Sequence, residues 1–128
     1  MPIIVGYTTK PEGKAALKHA LAEALAHDES LVVVNIGSGL HPEHMLADED
    51  HLASVARELD AAGVKHQIRQ LVRGKEPSQE IVDLATEINA IMIVIGLRRR
   101  SPVGKLLLGS NAQQILLDAS CPVVAVKA

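Results

Sequence analysis

The sequence predicts an α/β fold, an open parallel sheet with helices on both faces, and three observations carry that prediction. Five short apolar runs alternate with four stretches of helical periodicity, giving the order β-α-β-α-β-α-β-α-β. The runs are near-continuous Val, Ile and Leu, the pattern of strands covered on both faces. The chain has 128 residues, 48% of them apolar, with one aromatic residue, so its core is aliphatic. A chain of this size buries about two-thirds of the surface its unfolded form exposes, enough for one domain over 1–128. Right-handed crossovers then give a parallel sheet between two helical layers.

Residues 3–7 form the first apolar run, and the Thr9…Glu12 spacing of a capping box predicts that a helix follows. Leu17, Ala20, Leu21, Ala24 and Leu25 give that helix its apolar stripe, with Lys14, Lys18 and Glu23 turned to solvent. The second run, 31–36, leads into Gly37-Ser38-Gly39-Leu40-His41-Pro42, a loop by composition. It resembles half a dinucleotide fingerprint, but Pro42 stands where the third glycine belongs and no helix is expected to begin immediately, so that reading is set aside. A longer acidic, histidine-rich loop over 43–51 is expected next. Leu52, Val55, Ala56 and Leu59 then mark the second helix, which Gly63 terminates.

Residues 64–72 alternate loosely, as an outer strand with one wetter face does. Pro77 and Ser78 start the third helix, whose stripe is Ile81, Leu84, Ala85 and Ile88. Residues 90–95 are the most apolar run and read as a central strand. Ser110 and Gln113 again have capping-box spacing, and Ala112, Ile115, Leu116 and Ala119 face the fourth helix inward. The last strand is 122–126, with Pro122 at its start because proline cannot donate a ladder hydrogen bond.

The stretch 96–110 is the expected active surface. It combines three glycines, Gly96, Gly104 and Gly109, with the consecutive Arg98, Arg99 and Arg100, and it ends in Gly109-Ser110 at the mouth of a helix. Backbone freedom, guanidinium groups and free helix N–H donors are what a phosphate requires. A Walker A loop is excluded, because Gly104-Lys105 is followed by Leu106 and Arg99 stands where the first glycine belongs. In open α/β sheets ligands sit beyond the carboxyl ends of the strands where strand order reverses. If strands one and four are neighbours, the loops 6–11 and 96–110 face each other there.

Composition narrows the function classes. A formal net charge of −2, a single basic triplet and no aromatic stacking residue beyond Tyr7 argue against nucleic acid. No apolar run approaches the ~20 residues of a membrane span. One cysteine, Cys121, excludes an intramolecular disulfide and reads as a small buried hydrophobe. No secretory signal pattern opens the sequence, so a cytoplasmic location is expected. His41, His44 and His51 amid Glu43, Asp48, Glu49 and Asp50 are ligand types for a divalent ion, yet their spacing matches no closed zinc site, and no metal is assigned. No paired carboxylates or Ser-His-Asp set can be placed in the crevice, so the residues do not point to a dedicated enzyme.

Taken together the residues resemble a small single-domain universal stress protein, along nearly the whole chain. That family carries a loop written G-x-x-G-x9-G-[ST], matched here by Gly96, by Arg99 in place of the second glycine, and by Gly109-Ser110. The ending Cys121-Pro122-Val123-Val124-Ala125-Val126 is also typical. The resemblance implies strand order 3-2-1-4-5, homodimerisation through the last strand at Val123, Val124, Ala125 and Val126, and, in a subset of members, ATP or another adenine nucleotide in the strand 1/strand 4 crevice. Gly96, Arg98, Arg99, Gly109 and Ser110 would then serve the phosphates, with Mg²⁺ accompanying ATP. Thr8 and Thr9, where the family has Asp followed by Gly, would serve the ribose, and Ile36 the base. The implied role is a stress-response sensor or regulator with at most slow ATP hydrolysis or autophosphorylation. The alternative is a nucleotide-free dimeric interaction module in which Thr8 and Arg99 mark a degenerate site.

Overall fold

The structure is a computed structural model and describes residues 1–35, 42–70, 76–97 and 110–128, with the side chains of 42–48 and of Ser110 outside the description. The elements run β1 (Ile3–Tyr7), α1 (Pro11–His27), β2 (Leu31–Asn35), α2 (Pro42–Ala61), β3 (His66–Gln70), α3 (Pro77–Glu87), β4 (Met92–Leu97), α4 (Ser110–Asp118) and β5 (Val123–Lys127). The five strands form one parallel sheet in the order β3-β2-β1-β4-β5. The expected order is the observed one.

Sequence position decides burial in this sheet. β1 has a neighbour on each side and a helical layer over each face, so all five of its residues are buried, and β2 is the same. Successive side chains point to opposite faces. Ile3, Val5 and Tyr7 therefore join Ala16, Leu17, Ala20, Val55 and Leu59 under α1 and α2. Ile4, with Val32, Val34, Ile93 and Ile95, packs instead on Ile81, Leu84 and Ala85 of α3 and Ile115 of α4. The outer strands β3 and β5 expose about every second residue, as the loose alternation over 64–72 predicts, although β3 itself is shorter, His66–Gln70.

Helix boundaries depart from expectation in instructive ways. The Thr9…Glu12 capping box does not form: Lys10, in extended conformation, is the N-cap of α1, it carries no side-chain cap, and Pro11 occupies the first turn. Proline's fixed φ and missing N–H suit that position without a cap. By contrast α3 starts at Pro77 as expected, after extended Glu76, with Ser78 in its first turn. Ser78 is fully buried, and its hydroxyl donates to Gln114 Oε1 at 2.6 Å while Gln114 Nε2 donates to Gln79 Oε1 at 3.1 Å, tying α3 to α4. The loop expected over 43–51 is instead the first half of α2, which starts at Pro42.

Leu25 and Leu116 were each expected on an inward stripe, and both are exposed. Each lies at the margin of its helix's buried face, which Ala16 and Ile115 occupy. The helix ends follow backbone chemistry. Asp28 and Asn89 take left-handed φ of 54°, and Gly63 takes 77° just after α2, as expected of a terminating glycine. Among the described residues no helix is long and apolar enough to cross a membrane.

Gly13 is the one buried residue of α1 whose lack of a side chain is required. A Cβ there would overlap the backbone N and O and the hydroxyl of Thr8. Alanine favours a helix interior over glycine by about 1 kcal/mol, but overlap with fixed backbone outweighs that gain. Gly13→Ala is therefore expected to destabilise the fold, lowering Tm by roughly 4 °C or more in thermal denaturation followed by circular dichroism.

Candidate functional site

The sheet places β1 beside β4, and this is where strand order reverses, since β2 and β3 lie to one side and β5 to the other. The β1–β4 ladder runs through Ile3–Met92, Ile4–Ile93 and Val5–Val94 and ends two residues short of Tyr7. The β1–β2 ladder continues to Tyr7–Asn35. β1 and β4 are thus neighbours, the adjacency that the expected crevice beyond their carboxyl ends requires.

Thr8 and Thr9 form the turn that leaves β1 there. Thr8 Oγ1 accepts a hydrogen bond from the Lys10 N–H at 3.3 Å, while Thr9 is exposed. A hydroxyl that accepts in this way keeps its own proton to donate to a ligand oxygen. Gly13 brings the first turn of α1 down onto Thr8, and Lys10 O accepts from the N–H groups of Gly13 and Lys14 at 3.0 and 3.1 Å. The turn is held by backbone contacts rather than by a side-chain cap.

Gly96 differs from its expected place. Strand four, expected at 90–95, is Met92–Leu97, so Gly96 lies inside β4 and pairs with Val126 of β5 rather than opening the loop. A Cβ on Gly96 would overlap the carbonyl of Glu12. Glycine at this position lets the N-terminal turn of α1 rest directly on the end of β4. The structure thereby brings Thr8, Thr9 and Gly96 to one corner, joined through residues 10–13. Ile36, Arg98, Arg99 and Gly109 lie outside the described residues. Ser110 is described only as the first residue of α4.

Two further residues near this corner, Tyr7 and His51, are paired with each other, a contact the sequence reading did not anticipate. Tyr7, the last residue of β1, is fully buried, and its hydroxyl is hydrogen-bonded to His51 Nε2 of α2. Their rings stack with centroids 5.6 Å apart and planes 11° from parallel. Of the residues considered as metal ligands, His51 has its Nε2 engaged by Tyr7, while His41 and the side chains of Glu43, His44 and Asp48 lie outside the described residues. Among the described residues no three His, Cys, Asp or Glu side chains converge as a metal site. Cys121 is half-buried against the α3/α4 side of the core. Burial pushes its thiol pKa up, partly opposed by a backbone hydrogen bond to the sulfur. A raised pKa keeps the group a thiol at neutral pH and makes it a poor nucleophile.

The comparisons agree over the same span. The model of the "Universal stress protein family" matches residues 1–127. The chain belongs to the universal stress protein family. A universal stress protein of Mycolicibacterium smegmatis is 40% identical over 126 residues, covering 98% of this chain and 96% of that one. The solved structure of a universal stress protein from Archaeoglobus fulgidus is 37% identical, with a TM-score of 0.83 and coverage of 99% and 98%. The structure of the universal stress protein from Archaeoglobus fulgidus in complex with dAMP is 32% identical, with a TM-score of 0.78 and the same coverage.

The geometry gives Gly96 a packing role that needs no ligand. Gly96→Ala is therefore expected to lower the Tm of nucleotide-free protein by roughly 4 °C or more. A glycine that serves only a ligand would leave that Tm unchanged, and the same denaturation measurement separates the two.

Proposed function

We propose that this universal stress protein is a cytoplasmic homodimer that binds an adenine nucleotide, ATP with Mg²⁺ or a monophosphate, and acts as a sensor or regulator in stress responses. The observation that carries the reading is the dAMP complex of the 32% identical archaeal relative, which aligns with 99% of this chain. The crevice between β1 and β4 and the uncapped, hydroxyl-bearing turn at Thr8 and Thr9 support it. In this reading Thr8 and Thr9 meet the ribose, Ile36 the base, and Gly96, Arg98, Arg99, Gly109 and Ser110 the phosphates. The start of α4 would add helix N–H donors and a dipole worth about 0.3–1 kcal/mol to an anion.

The second reading is a nucleotide-free interaction module. It is favoured by the corner at Gly96, where the backbone of Glu12 takes up the space beside the glycine. Titration calorimetry with ATP and magnesium, and with AMP, decides between the two: saturable heat is expected at high micromolar protein, and silence for all nucleotides sinks the first reading. ATP, ADP, AMP or cyclic AMP released from denatured purified protein and resolved by anion exchange counts against the second. Binding that appears only in Arg99→Gly assigns the arginine to obstruction.

The dimer in this proposal forms through β5. That strand has β4 on one side and no strand on the other, and unpaired ladder groups invite a second copy. Light scattering is expected to give twice the chain's 13.6 kDa. A monomeric mass contradicts it.

A further inference from the structure

The sheet face under α1 and α2 is fully covered, but the two helices do not close against each other over all of their length. Between the two helices lies a cavity of about 480 Å³, inside the range of about 300–1,000 Å³ typical of small-molecule sites. Its walls follow helical spacing. Leu17 and Leu21 come from α1, one turn apart, and Val55 and Leu59 come from α2, also one turn apart, and these four supply the apolar lining. The stacked Tyr7 and His51 also line it.

The charged lining is unbalanced. Lys14 and Lys18, again one turn apart on α1, line the cavity with exposed side chains, and Glu58 is the carboxylate that α2 contributes. Among the described residues neither lysine has an ion-pair or hydrogen-bond partner for its ammonium group. Among the described lining residues, two ammonium groups against one carboxylate give a net positive charge over an aliphatic lining. In the sequence both lysines read only as the solvent face of a helix.

We propose that this α1–α2 cleft is a second ligand site, separate from the strand-end crevice, and that it takes a small alkyl carboxylate. The alkyl tail lies on Leu17, Leu21, Val55 and Leu59, and the carboxylate lies at Lys14 and Lys18. The lining selects this chemistry over a nucleobase. Tyr7 is fully buried and already stacked on the half-buried His51, so its ring offers no open face to a base, and the apolar lining is otherwise aliphatic. The two lysines select an anion over a neutral alcohol or amide of the same length.

The probe is octanoate, kept below its micelle concentration and titrated into the full chain by calorimetry and by backbone amide NMR shifts, with octan-1-ol as the neutral control. Saturable binding to one site is expected, with shifts concentrated on α1 and α2. Lys14→Gln with Lys18→Gln should weaken it about five-fold, and Glu58→Gln should tighten it about two-fold, the scale of partly exposed charge pairs. Ser54→Phe, at an exposed position of the lining, should block the cleft without disturbing the core. Saturating ATP should leave octanoate binding unchanged.

No saturable octanoate binding at millimolar concentration overturns the proposal. Binding indifferent to both the double lysine change and Ser54→Phe overturns it as well. Equal affinity for octan-1-ol overturns the anion assignment, and displacement by ATP overturns the separation of the sites. Because ATP is titrated alone in its own experiment, failure of the nucleotide reading and failure of this one are told apart.

Discussion

Two contacts between backbones, at Gly13 and at Gly96, hold together the corner where β1 and β4 end. Each is a place where a helix turn or strand end approaches another segment so closely that a single carbon would not fit. Through Gly13 the start of α1 sits on the Thr8 turn, and through Gly96 the end of β4 sits on Glu12 of that same helix. Ordinary side-chain packing tolerates exchange of one aliphatic residue for another of similar volume. Backbone overlap does not. The aliphatic core around β1 can thus drift in sequence while the geometry of the crevice is kept by residues that carry no side chain.

This arrangement explains what the sequence made legible. Two-sided burial writes itself directly into composition, so the strands, their parallel pairing and the two helical layers follow from near-continuous Val, Ile and Leu. Where composition and geometry part, the reading shifts. Ala90 and Ile91 extend the apolar run before β4 without belonging to it, and Gly96 reads as the start of a loop although it is paired with Val126. The first half of α2 has no apolar stripe to reveal it, and Pro42, a good first helical residue, was read as part of a preceding loop. The Thr9…Glu12 spacing misled because Pro11 makes a capping side chain unnecessary.

The site was less legible than the fold for a physical reason. Phosphate-binding loops announce themselves through glycine and arginine, which made 96–110 stand out, but the tight corner beside that stretch depends on contacts between residues far apart in the chain. Gly13 was the one local hint, since a glycine in a helix interior is unfavourable unless something must come close. Tyr7 and His51 are 44 positions apart, and nothing in either neighbourhood announces the other. The same holds for Lys14 and Lys18, whose helical spacing is plain but whose position beside a cavity depends on where α2 lies.

The pairing of Tyr7 with His51 also gives the molecule an unusual optical property. With no tryptophan and no phenylalanine, and one tyrosine in 128 residues, all aromatic side-chain absorbance and emission above 270 nm arises from this single ring apart from weak sulfur and imidazole absorption. That ring stands at the end of the central strand, beside the turn of the strand-end crevice and in the lining of the helix cleft. The protein carries its own reporter at the junction of both, and its intrinsic spectrum is a local signal rather than an average over the fold.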